Sequence, residues 1–279
     1  MSIDLHCHTK ISDGSIGIEE LIAIAKRRGL SAIAITDHDA VAGSTRATMI
    51  GKRQGIDVIH GVEFSAQDKE RGRPVHILGY MCDSPDRMEG MCRQITAARR
   101  EAATQMVRKV LRYYPIVPES VTRCAAGSAT VFKQHIMHAL IDAGYADSFY
   151  GSVYDKLFGR DGCARVDIDY PDARTVIDLI HSAGGLAVLA HPAHYDSEDL
   201  MAELVEDGLL DGIEVWHPRH DAAKADQLKD FAEQHGLLMT GGSDFHGMYA
   251  DAPRPLGNPD VPDNTPQLMT SYKAKKYRR

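Results

Sequence analysis

The sequence contains no apolar run near the ~18 to 20 residues that a membrane helix needs. Its first residues, Met1 to Asp13, carry charges and histidines where an export signal would carry an apolar core. A soluble, unexported chain with no membrane partner is expected. Cysteines are few: five, at positions 7, 82, 92, 124 and 163, an odd number with no CxxC spacing. That excludes a paired disulfide framework and a zinc ribbon, and makes a reducing cytoplasm the simplest setting. Positive charge is also short, with 32 Lys and Arg against 39 Asp and Glu for a formal net charge of −7, which argues against bulk nucleic acid as a partner. The one basic run, Lys273-Ala-Lys-Lys-Tyr-Arg-Arg279, reads as a frayed, solvated end. No internal repeat or low-complexity block is present. With 43% hydrophobic and 25% charged residues over 279 positions, the chain has ordinary globular composition and room for one large or two modest domains.

Short β-branched runs alternate with helical patterns. Ile3–Leu5, Ala32–Thr36, Asp57–His60, Val75–Tyr80, Leu186–Ala190, Gly212–Val215 and Leu237–Thr240 are seven candidate strands. Between the first two, Ile18, Leu21, Ile22 and Ala25 recur at helical spacing before Lys26, Arg27, Arg28 and Gly29, which suit a helix C-terminus. This rhythm predicts parallel βα units. Residues 85–185 break it with a polar helical stretch over Asp86–Arg112, a Pro115/Pro118 break, and amphipathic segments at Val131–Ala143 and Ser148–Leu157. They read as a helical insertion, and Asp172–Ala183 as the helix that returns the chain to the sheet at Gly184-Gly185. The expected organisation is a barrel over 1–84 and 186–250, the insertion over 85–185, and a proline-rich surface loop with a basic tail over 251–279.

The histidines, fourteen in all, cluster at strand ends. His6 and His8 stand two apart on the first strand, so their imidazoles share one face, while Cys7 points the other way. Asp13 follows in the next loop. The remaining candidates are His38 in Thr36-Asp-His-Asp39, Glu63 in Gly61-Val-Glu63, His76, His191 in Ala190-His-Pro192, and Asp244 and His246 in Gly241-Gly-Ser-Asp-Phe-His246. Strand C-terminal ends converge at the catalytic face of a parallel βα barrel. A single histidine in such a place is ordinarily a hydrogen-bonded structural residue. Six imidazoles and three carboxylates on one rim are different, because they would be costly to bury without cationic partners. Mixed shells of this kind suit manganese, iron or zinc, and at about three to five ligands per ion they suffice for two or three ions. Three carboxylates against three divalent ions leave a site of about +2 to +3, which favours an anion, and clustered metals suit phosphate-ester hydrolysis.

These motifs resemble those of the PHP (polymerase and histidinol phosphatase) phosphoesterases of the amidohydrolase superfamily, over Ile3 to His246. The resemblance implies a distorted (β/α)7 TIM-like barrel with a trinuclear centre of three divalent ions, manganese first and iron or zinc next. Carried over, His6, His8, Glu63 and Asp244 would hold one ion, Glu63 with His76 and His191 a second, and Asp13, His38 and His246 a third. A hydroxide bridging two ions would attack phosphorus. The insertion resembles that of the branch containing nucleotide 3′,5′-bisphosphate phosphatases, RNA-trimming exonucleases and cyclic phosphate dihydrolases. Where that branch has Arg-x-His-Phe and His-Pro-x-Arg-Tyr, this chain has Lys133-Gln-His135-Ile and His191-Pro-Ala-His194-Tyr. Arg offers phosphate a two-pronged fork, whereas Lys is a point charge and His can be neutral at pH 7.

Lys133, His135 and His194 are thus expected to contact substrate, with Arg160 and His220 as further candidates and metal-bound water or His194 as the proton donor to the leaving oxygen. Asp37 and Asp39 would orient His38. The altered pocket favours a five-membered cyclic phosphodiester of a ribosyl phosphate, cut at both esters to release inorganic phosphate. A bisphosphate phosphatase or 5′ exonuclease of short RNA is the alternative, then a histidinol-phosphate phosphatase. A C–N hydrolase would ordinarily carry a bridging lysine where Glu63 stands. A non-catalytic metal-binding module is the remaining reading, and the oligomeric state is left open.

Overall fold

The computed structural model describes residues 2–278. Seven strands form one sheet in chain order: β1 (Ser2–Cys7), β2 (Leu30–Ile35), β3 (Asp57–Asp68), β4 (Arg73–Tyr80), β5 (Leu186–Leu189), β6 (Gly212–Trp216) and β7 (Leu238–Gly241). β1, β2 and β3 pair in parallel, as do β5, β6 and β7. Past β7 the backbone returns to β1, where His8 N–H donates to the Phe245 carbonyl at 2.9 Å. The sheet thereby curls toward a TIM-like barrel.

One strand is reversed. β4 runs antiparallel to both β3 and β5, which corrects the expectation of uniformly parallel units. The reason is length: only four residues separate Asp68 from Arg73, enough for a hairpin and far too few for a crossover. Reversal also explains His76. It lies in the first half of β4, yet pairs with Ser65 near the far end of β3, and so reaches the same rim as the carboxyl ends of the other strands.

Helices α1 (Ile18–Arg27), α2 (Ser44–Gln54), α7 (Ala173–Ser182), α8 (Glu198–Glu206) and α9 (Ala222–His235) accompany the strands. Helix α1 buries Ile18, Leu21, Ile22 and Ala25, the residues at helical spacing, with Glu19 and Glu20 at its positive end and Lys26 and Arg27 at its negative end. Each fully buried Leu or Ile contributes about 1.5–3 kcal/mol. Between β4 and β5, helices α3 (Glu89–Val110), α4 (Pro118–Cys124), α5 (Lys133–Asp142) and α6 (Ser152–Phe158) build a separate apolar cluster around Met106, Val110, Ile136, Leu140, Leu157 and Phe158. Val176, Ile177 and Ile180 of α7 instead join the barrel cluster beneath β3, β4 and β5.

The C-terminal segment corrects the expected frayed tail. Residues Thr265–Lys276 form helix α10, which buries Met269. Lys273 pairs with Asp83 at 2.7 Å, Lys276 with buried Asp211 at 2.5 Å, and Tyr277 Oη donates to the Gly185 carbonyl at 2.7 Å. Two lysines of the basic run, Lys273 and Lys276, are thus spent on intramolecular pairing, and Arg279 at its end lies outside the described residues. Among the described residues no helix is long and apolar enough to cross a membrane.

Candidate active site

The structure brings all nine expected donors to one rim. Glu63 stands at the centre, fully buried, with its two oxygens facing different imidazoles. Oε2 lies 3.1 Å from His6 Nε2, 3.1 Å from His8 Nε2 and 3.4 Å from His38 Nε2. Oε1 lies 2.8 Å from His76 Nδ1 and 3.0 Å from His191 Nε2. Burial alone would raise the Glu63 pKa, but the surrounding imidazoles, His38, His6 and His76 foremost, hold it well below the ordinary glutamate value. Asp244 Oδ1 is 3.4 Å from both His8 and His246, and Asp13 Oδ1 is 3.3 Å from His246.

The donor atoms gather into four overlapping groups: His8 with Asp13, His38 and His246; His6 with His8 and Asp244; His6 with Glu63 and His191; and His38 with Glu63 and His76. His8 therefore sits with the Asp13, His38 and His246 group as well as with Asp244, and His76 and His191 fall in separate groups that share Glu63. The donor set suits divalent cations on a further ground. Both ring nitrogens of His8, Nδ1 of His38, Nδ1 of His191 and Oδ1 of Asp13 are buried without a hydrogen-bond partner. Each unsatisfied buried polar atom costs about 1–3 kcal/mol, and ligation would offset that cost.

Backbone geometry places these groups. His191 (φ 26°), Asp244 (φ 50°) and Asp39 (φ 53°) occupy the left-handed region, which side-chain-bearing residues adopt only when their surroundings impose it. Gly242, between β7 and Asp244, lets the chain pass the His6 backbone, where an added Cβ would lie 2.4 Å from His6 N. Asp37 and Asp39 do not orient the His38 ring, contrary to expectation. Asp37 accepts from Thr9 N, Thr9 Oγ1 and Ser12 Oγ, all at 2.7 Å, and so fixes the loop that carries Asp13. Asp39 accepts from Ser65 N at 2.8 Å and pairs with Arg99 at 2.6 Å.

Two buried residues beside the rim escaped the sequence reading as site residues. Glu214, in the middle of β6, holds His6 Nδ1 at 2.9 Å and accepts the His191 backbone N–H at 2.8 Å. Burial opposes its ionisation, but His6 and His217 outweigh burial and bring it down to about 2. The signal was an acid amid the apolar strand Gly-Ile-Glu-Val-Trp. Arg254, in the proline-rich loop, pairs with Asp244 and, at 2.7 Å, with Asp251. Arg219 pairs with the other Asp251 oxygen at 2.6 Å.

A cleft of about 130 Å³ opens over the rim, walled by Gln134 and Tyr150 of the insertion, by His194 and Tyr195, and by Arg219, Tyr249 and Arg254. Its cations are therefore the two arginines and not Lys133 or Arg160. Lys133 lies over the Phe158 ring at 6.0 Å, away from the cleft, because its position opens α5 on the side facing α6. Arg160 is exposed in the loop after α6 and does not line the cleft. His135 caps α5 instead: its Nδ1 accepts the Phe132 backbone N–H at 3.1 Å, and burial brings it down to about 4. His220 turns away to the Val215 carbonyl at 2.8 Å. His194 does line the cleft, but burial, aided by His191 and Arg219, lowers its pKa to about 3. A ring that is neutral at pH 7 gives a proton to the leaving oxygen only after substrate or solvent has protonated it.

Comparison with known proteins accords with this geometry. The PHP domain model matches residues 4–183. The chain belongs to the PHP domain family. A phosphoribosyl 1,2-cyclic phosphate 1,2-diphosphodiesterase of Eggerthella lenta is 41% identical to this PHP chain over 253 residues, covering 90% of the chain and 96% of that protein. A 3′,5′-nucleoside bisphosphate phosphatase of Chromobacterium violaceum is 30% identical, covering 88% and 87% respectively, and a 5′-3′ exoribonuclease of Haemophilus influenzae is also 30% identical, covering 87% and 89%. Among solved structures, a Bifidobacterium adolescentis protein described as a metal-dependent phosphoesterase superposes with a TM-score of 0.86 at 30% identity, covering 97% of this chain and 96% of its own. This PHP protein is a metal-dependent phosphoesterase, within the class of phosphoric ester hydrolases.

Proposed function

We propose that this PHP enzyme hydrolyses a small five-membered cyclic phosphodiester of a ribosyl phosphate, opening the ring and then removing the phosphate. The observation that carries the reading is Glu63, one buried carboxylate facing five imidazoles, with partnerless imidazole nitrogens around it. His6, His8, Glu63 and Asp244, then Glu63, His76 and His191, then Asp13, His38 and His246 would hold three divalent ions, manganese ahead of iron or zinc. When bound, such ions supply an attacking water of lowered pKa and positive charge against the phosphoryl oxygens. Glu214 keeps the His6 ring aimed at Glu63, and the buried carboxylates stay ionised. Arg254 and Arg219 offer the oxygens not under attack the guanidinium N–H groups left over from their pairs with Asp244 and Asp251. Desolvation raises the pKa of half-buried Tyr195 and keeps its hydroxyl a donor at neutral pH. His194 contributes a neutral ring to the wall beside Tyr195 at a ring separation of 4.3 Å.

The cyclic substrate is supported by the 41% identity to the Eggerthella lenta protein of that printed activity, and by a cleft of about 130 Å³ suited to a single sugar phosphate. Phosphate release is to be measured with manganese-loaded and chelator-stripped protein on cyclic ribose phosphates, nucleotide 3′,5′-bisphosphates, short 5′-phosphorylated RNA and histidinol phosphate. Metal-dependent release of one phosphate per cyclic ribosyl phosphate, with the highest kcat/KM of the panel, is expected. A higher kcat/KM on bisphosphates or RNA would replace the reading with the second one, which the relatives at 30% identity support.

A further inference from the structure

A second group of metal-type donors lies in the helical insertion, apart from the nine rim residues. Cys124 ends α4, and His138 and Asp142 stand one turn apart on α5, so the last two share a helix face. Cys124 Sγ, a His138 ring nitrogen and an Asp142 carboxylate oxygen all lie within 4.8 Å of one another. His138 Nε2 and Asp142 Oδ1 are 3.6 Å apart, too far for a hydrogen bond, yet close to the edge of ~3.3–3.8 Å between ligands around a tetrahedral zinc ion. The other nitrogen, Nδ1, is held by Tyr249 Oη at 2.9 Å, and Phe149 and Tyr249 pack edge-on against the ring at 5.8 and 5.7 Å. A ligating imidazole is ordinarily fixed in this way, with one nitrogen anchored so that the other is aimed.

We propose that Cys124, His138 and Asp142 form a separate zinc-type site, with one sulfur, one nitrogen and one oxygen ligand and a fourth position open to water. Sulfur distinguishes it from the rim, where every donor is nitrogen or oxygen. Binding displaces the Cys124 proton to solvent, and the cation joins α4 to α5. Tyr249 then carries the effect to the cleft, because it lies three residues beyond His246 and lines the cleft. The ion would tie the insertion to the loop carrying Asp244 and His246 without touching substrate.

The test is optical and independent of turnover. Full-length protein is stripped with chelator, given manganese, and titrated with cobalt(II), whose bond to a thiolate produces a charge-transfer absorption in the near ultraviolet that imidazole and carboxylate ligands do not give. The expected result is a band that saturates at one cobalt per chain, disappears in Cys124→Ser and His138→Gln, and is bleached by zinc. Bound cobalt without that band, or a band that survives in Cys124→Ser, would overturn the site. Should Cys124→Ser fail to fold by circular dichroism, exposed Asp142→Asn carries the same question: affinity for cobalt should fall ~tenfold or more, and an unchanged titration refutes the assignment. Neither result depends on which phosphate ester the rim hydrolyses.

Discussion

The rim and the wall of the cleft are built on different principles. Rim donors sit at or just beyond strand ends, so the sheet ladder fixes their positions, and at two of the histidines carboxylates prevail over burial. At His6, burial lowers the pKa, but Glu214 and Glu63 outweigh it and hold the ring well up; at His8, contacts with Asp244 and Glu63 outweigh burial to bring it up to about 10. Wall residues come from α5 and the loop before α6, from the loops after β5 and β6, and from the segment around Tyr249 and Arg254. There burial prevails, bringing His194 down to about 3, and it likewise brings His135, behind the wall on α5, down to about 4. His6 and His8 are thus held up by their carboxylates, whereas at His38, also in the rim, burial outweighs Glu63 and Asp13 and brings the ring down to about 3, as it does in the wall.

Breaking the rim should have the largest effect. Glu63→Gln removes the charge shared by five imidazoles, so phosphate release should fall by about 10³-fold or more, with bound metal lost in parallel. Retained activity at normal metal content would show that Glu63 is not central. A smaller effect should come from protonating His135, behind the wall. His135 binds the Phe132 N–H through a nitrogen that must be unprotonated, so its folded pKa of about 4 lies below the unfolded value near 6.5. Between those values the unfolded chain binds the extra proton, so stability is full above about pH 6.5 and is lost as pH falls toward 4, by at most about 3 kcal/mol from this group. His135→Gln should flatten that part of the urea-midpoint profile between pH 6.5 and 4, and an unchanged slope would place the titration elsewhere.

The contrast also explains what could be read from sequence. The period of two in His6-Cys-His8 and the short intervals from strand end to donor are local, so the nine rim positions were visible one motif at a time. Reversal of β4 was hidden because Val75–Tyr80 looks the same in either direction, and because β3 was expected to stop at His60. With β3 continuing to Asp68, the four-residue connection to Arg73 requires a hairpin. Lys133 was expected in the cleft by analogy of motif, yet a helix presents successive residues to different faces, and it is Gln134 that faces Asp13. Arg254 lies in a loop with no periodicity, and no local pattern reveals that it folds back on Asp244.

Two substitutions in the wall measure how much of the chemistry depends on it. Arg254→Ala should lower kcat/KM by about 10- to 10²-fold, the worth of a charged hydrogen bond at ~1.5–3 kcal/mol. Arg254→Lys should restore only part of that loss, because an ammonium cannot make the two-pronged contact. Equal activity of Ala, Lys and Arg at this position would show that Arg254 serves only to balance Asp244 and Asp251.

Gln134 tests the weakest link between the two regions. Its Nε2 donates to Asp13 Oδ2 at 3.3 Å and lies 3.2 Å from Tyr150 Oη, so it links the insertion to an expected metal ligand by a hydrogen bond. Both contacts are long, which keeps the bond to the ionised Asp13 carboxylate near or below the ~1.5 kcal/mol lower end for hydrogen bonds to charged groups. Gln134→Ala should therefore reduce kcat/KM by only about 2- to 10-fold, with metal content unchanged, since Asp13 keeps His246 close by at 3.3 Å. A loss as large as that of Glu63→Gln would mean that the insertion organises the rim itself. The separation of a strand-built centre from a helix-built wall would then have to be abandoned.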